Sequence, residues 1–134
     1  MLEEFLDWSE IIKPEVAHVS GLLADKLSSE PAELISDLQE IEGWNGRMGV
    51  LLAQANSWLD RCKLSAMPVR ESGRSETDRK LKLDSEVSPI RLMRDTLEHL
   101  CDCIKQRLIL GESILSFHKA QFAERRNLQA EKIY

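Results

Sequence analysis

The stretch Gly43-Trp-Asn-Gly-Arg-Met-Gly49 lies at the middle of a segment, Pro31 to Ala66, whose reading decides the fold. Taken at steps of four and three, the segment gives Leu34, Leu38, Ile41, Asn45, Met48, Leu52, Ala55, Leu59 and Cys62. Apolar residues at that spacing over roughly four heptads keep one stripe of a helix turned toward a partner. Asn45 is the polar member of this seam, at an a position, where a buried amide weakens pairing but fixes its register. On this reading Leu38, Ile41, Asn45, Met48, Leu52 and Leu59 form an oligomer interface between helices. Gly43, Gly46 and Gly49 each cost a helix about 1 kcal/mol relative to alanine. Three together therefore require a close packing partner or mark a break. Trp44, Val50, Leu51 and Trp58 lie off the seam and give the helix a second apolar flank, suited to a second neighbour.

Composition narrows the rest. A chain of 134 residues is one domain by length, with a core if its helices fold back on each other. Aromatics make up 5% and charged residues 31%, a mix that suits helices with one apolar stripe and a solvated back. No apolar run reaches the roughly 18 residues of a membrane span, and the acidic first turn is unlike a signal peptide. Three cysteines fit a reducing cytoplasm better than a disulfide framework. The net charge of −5 is unevenly spread. Up to Gly46 there are 11 acids against 2 bases, and the remainder has 12 acids against 16 bases. So polarised a chain attracts the complementary end of itself or of a neighbour.

In chain order, Leu2, Phe5, Leu6 and Ile12 predict a short first helix that stops near Lys13, because Pro14 disfavours helical geometry before it. A second carries Val16, Val19, Leu22, Leu23 and Leu27, and Pro31 suits the first turn of the seam helix. From Ser65 to Glu76 the periodicity dissolves around Pro68 and Gly73, predicting a loop over 67–77. It is basic, with Arg61 and Lys63 leading in, Arg70 and Arg74 inside, and Arg79, Lys80 and Lys82 following. Helix resumes over 78–134, with a new start or a bend at Ser88-Pro89. Its stripe is Ile90, Met93, Leu97, Leu100, Ile104, Leu108, Gly111, Leu115, His118 and Phe122, and its polar tail from Ala123 is expected to fray. The fold expected is all-α: a long antiparallel helical hairpin with short N-terminal helices (1–30), folded back or exchanged between chains, and oligomeric through coiled-coil-like seams.

Chemistry is harder to find. His99 and Cys103 share a helix face, but Cys101 points away from both, and a structural zinc site needs four converging ligands. His18 and His118 are isolated. Glu40 with Glu42, and Asp84 with Glu86, are i, i+2 pairs that diverge on a helix. There is no phosphate-binding loop, dinucleotide fingerprint or nucleophile elbow. The expectation is no enzyme, no metal and no cofactor.

One resemblance emerges from the layout. A seam helix ends in Leu59-Asp60-Arg61 and a basic polar loop follows. Ser75-Glu76 and Leu83-Asp84 then lead into a long helix with Leu97, Leu100-Cys101 and Ile104-Lys105-Gln106-Arg107. Over its second two-thirds the chain resembles the UvsY-type recombination mediators of tailed phages. The resemblance implies a ring-forming helical protein that binds single-stranded DNA and loads a recombinase, in the cytoplasm of a phage-infected or lysogenic bacterium. It assigns phosphate contact to Arg61, Lys63, Arg70, Arg74, Arg79 and Lys80, and base stacking to Trp58. The first third departs from it in being acidic. That acidity, in Glu3, Glu4, Asp7, Glu10, Glu33, Asp37, Glu40 and Glu42, suits a second reading: a protein-only adaptor or inhibitor that binds a basic protein partner.

Overall fold

The computed structural model describes residues 1–133 and is helical almost throughout, with no strand among the described residues. Helix α1 spans Leu2–Ala24, α2 Pro31–Ser65, α3 Met67–Glu71 and α4 Glu76–Ile133. Helices α2 and α4 form the expected antiparallel hairpin, and α1 lies along both. Its direction follows from three contacts. Trp8 Nε1 donates to Gln54 Oε1 at 3.2 Å, Glu15 pairs with Arg47 at 2.8 Å, and His18 lies 3.7 Å from Glu40. Ascending α1 thus descends α2, so α1 runs antiparallel to α2 and parallel to α4.

Two short N-terminal helices were expected where one forms. Pro14 sits inside α1, and Pro89 likewise sits inside α4. A proline in a helix interior costs about 3 kcal/mol. Burial on both sides offsets it: Ile12 and Val19 flank Pro14, and Val87 and Ile90, both fully buried, flank Pro89. The α2 helix likewise runs unbroken through Gly43, Gly46 and Gly49, and a Cβ at any of the three would meet nothing within 4 Å. The glycines therefore mark neither a break nor a close approach. The expected loop over 67–77 contains the single turn α3, with Pro68 in its first turn, where the missing N–H is no loss. The tail expected to fray is helix to Ile133, and its side chains are exposed from Lys119 to Glu131.

The seam residues face inward within one chain. Leu34, Leu38, Ile41, Met48, Ala55, Leu59 and Cys62 are buried, while Asn45 and Leu52 are half-buried. Leu51, from the second flank, is fully buried because α1 packs on that side. One core joins Ile12, Val19, Ile41, Met48, Leu51 and Ala55 to Leu97, Leu100, Cys101 and Ile104. A second, at the hairpin end, joins Phe5, Leu59, Cys62, Val87 and Ile90. Arg107 terminates α1 by donating to the carbonyls of Leu23 and Asp25, two of the acceptors a helix end leaves unpaired. No described helix is long and apolar enough to cross a membrane.

Candidate nucleic-acid interface

At the hairpin end the three elements enclose an open groove of about 610 Å³, lined by Lys63, Arg70, Glu76, Thr77, Lys80, Leu83, Asp84 and Arg91. They come from three helices. Lys63 is in the last turn of α2, where a cation opposes the negative end of the helix dipole. Arg70 is on α3, and the others share one side of the start of α4. Four cations face two carboxylates. Glu76 takes a hydrogen bond from Arg70 Nη2 at 3.1 Å and lies 3.7 Å from Arg79. Asp84 accepts from Arg91 Nη1 at 3.3 Å. Lys63 and Lys80 have no ion-pair partner among the described residues.

Of the six residues assigned to phosphate, the fold thus gathers Lys63, Arg70 and Lys80. Arg61 instead lies 4.1 Å above the ring of Trp58, a cation–π contact. Trp58 itself packs with Phe5 and Trp8, at centroid separations of 6.2 and 6.3 Å, in the hairpin-end core. It does not line the groove. Arg79 donates from Nε to the carbonyl of Gly73 at 3.3 Å, and the backbone N–H of Arg74 donates to Asp78 at 2.9 Å. These two hold the turn between α3 and α4. Lys82 joins them through Ser72 Oγ at 3.2 Å. Arg91 was missed by the sequence reading, although the spacing held a signal: Lys80, Asp84 and Arg91 are offset by 4 and 11 residues, which returns to one helix face.

The acidic first helix folds back along the hairpin and begins at the groove end. Met1 and Leu2 lie against Cys62, Ser65, Ala66, Val69 and Ile90, at the groove end. No residue of α1 is among those that line the groove.

The cysteines and histidines form no centre. Among the described residues no three His, Cys, Asp or Glu side chains are placed to hold a metal ion. Cys62 and Cys101 are buried, and burial pushes both thiols up. Cys103 is half-buried, with Sγ 3.5 Å from His99 Nε2. No family model, curated protein or solved structure matches the chain.

Proposed function

We propose that this chain is a non-enzymatic, cytoplasmic single-stranded-DNA-binding protein that assembles with copies of itself, a recombination mediator that helps load a recombinase. The observation that carries the reading is the groove: four cations from α2, α3 and α4 converge there, and no residue of the acidic helix is in its lining. Lys63 and Lys80 meet phosphate without breaking an ion pair. Arg70 and Arg91 exchange a carboxylate for a phosphate, for which the guanidinium fork is equally suited. Thr77 adds a hydroxyl donor and Leu83 an apolar floor. Assembly has an exposed surface of its own in Leu81, Leu92, Leu110, Phe117 and Leu128. On a helix of 3.6 residues per turn these fall within about 20° of one line along the outside of α4.

The test is anisotropy of a labelled oligothymidylate at low and moderate salt, with the wild type and with Lys63→Ala, Lys80→Ala and Arg91→Ala combined. Each lost phosphate contact makes the log–log salt slope shallower by about 0.7. Wild-type binding that the triple variant leaves intact removes the groove from the reading. A protein-only adaptor is the second reading, favoured by the exposure of Glu3, Glu4 and Asp7 without ion-pair partners among the described residues. It requires little DNA binding by the wild type at any salt.

A further inference from the structure

The opposite end of the hairpin carries a second recess with a different character. The stripe of α4 that packs under α2 runs on past the first turn of α2. There Pro31, Ile35, Leu115, His118, Lys119, Gln121, Phe122 and Arg125 line an open slot of about 440 Å³. Phe122 continues the core stripe, yet it is 65% exposed, and Ile35 opposite is 45% exposed. The titratable side chains on the lining are cationic or imidazole, and no carboxylate is among them. Glu33, the acid in the first turn of α2, is held by Ser28 Oγ at 2.8 Å.

From this we infer that the slot is a docking site for an acidic amphipathic helix of a partner protein, its apolar residues seated between Ile35, Leu115 and Phe122 and its carboxylates against Lys119 and Arg125. Such helices bind grooves through anchors at i, i+3 or i+4, and i+7, and a slot of this volume takes two or three of them. Charge argues against the other obvious occupant, the end of α4 from a second copy. From Lys119 to Glu131 that segment has three bases and two acids, so it brings Arg125 and Arg126 against cations. The inference does not rest on DNA binding, since the slot and the basic groove lie at opposite ends of α4.

The test uses the full chain and two fluorescein-labelled synthetic helices of about 15 residues, long enough to be helical when bound. Both carry leucine at i, i+3 and i+7; one has glutamate at the flanking positions and the other lysine. The acidic helix is expected to bind with a Kd on the order of 10 μM and the basic one at least about tenfold more weakly. Phe122→Ser and Ile35→Asn, both at exposed positions, should each weaken binding about tenfold with an unchanged circular dichroism spectrum. Arg125→Glu should reverse the preference between the two helices. Equal binding of both helices, no binding of either, or binding untouched by Phe122→Ser overturns the inference. Self-association of the chain that Phe122→Ser abolishes also overturns it, by giving the slot to a second copy. The triple groove variant should bind the acidic helix as the wild type does.

Discussion

Gly111 of α4 sits against Leu38 of α2 with no room for a methyl group between them: a Cβ on Gly111 would lie 2.8 Å from Leu38 Cδ1 and 2.9 Å from Cγ. Leu38 is buried. Gly111→Ala gains about 1 kcal/mol of helix propensity but loses about 1–3 kcal/mol to overpacking. The expected result is a net loss of stability in urea unfolding. Combining it with Leu38→Ala should cost less than the sum of the two single changes, because the second opens the space the first needs.

Gly43, Gly46 and Gly49 invert that case. A Cβ at each meets nothing within 4 Å, and none has a positive φ. Alanine at any one should stabilise the chain by about 0.5–1 kcal/mol, and the three should add. A loss at any position in thermal unfolding would show that the site is covered in solution, by another copy or by a partner.

Glu15 and Arg47 tie α1 to α2, with Arg47 Nε and Nη2 donating to the two carboxylate oxygens at 2.8 and 2.9 Å. The hydrogen bonds from Arg47 hold the Glu15 carboxyl below its usual value, against an opposing effect of burial. A carboxyl lowered by folding adds stability above its unfolded value, and the gain is lost as pH falls through the folded one. Arg47→Met should therefore lower Tm near neutral pH, and the difference from wild type should close as pH drops below the usual carboxylate range. A difference independent of pH would assign the effect to the arginine stem packing on α1.

The three thiols should react unequally. Cys62 and Cys101 are buried with raised thiols, whereas Cys103 is half-buried. Iodoacetamide labelling followed by peptide mass analysis should modify Cys103 first. The other two should follow only at the rate of opening of the fold. Equal rates would mean that the α2–α4 contact opens readily.

The turn at Gly73 is equally specific. A Cβ there would fall 2.7 Å from Arg79 Cγ and 2.8 Å from the Arg79 backbone nitrogen, and backbone cannot step aside cheaply. Gly73→Ala should cost about 1–3 kcal/mol in urea unfolding. Because this turn sets α3 against α4, the variant should also disturb Arg70 in the groove.

Much of this architecture was legible in the residues. The seam from Leu34 to Cys62 and the stripe from Ile90 to Leu115 have the period of helices that bury one face, and those faces pack in the hairpin. Pro14 misled because a local rule was weighed without the burial on either side: Ile12 and Val19 keep α1 running through it, as Val87 and Ile90 flank Pro89 inside the long helix expected there. The glycines misled in the other direction, since sequence shows a missing side chain but not whether anything stands opposite. Of the basic set, half comes together in the fold. Lys63, Arg70 and Lys80 converge, but Arg61 is drawn to Trp58 and Arg79 to Gly73 by partners that only tertiary structure brings within reach. Phe122 fits the stripe by period, yet nothing in its spacing tells that α2 begins too late to cover it.

The length of α4 sets a distance. Lys80 and Phe122 are 42 residues apart on one unbroken helix, which at 1.5 Å per residue is about 63 Å. That is about eight Debye lengths at physiological salt, so an anion in the groove and a peptide in the slot do not sense each other's charge. What joins them is reach: a molecule held at one end confines the other end to a sphere of that radius. Any second binding event within it proceeds at an effective concentration fixed by the rod and not by the bulk solution.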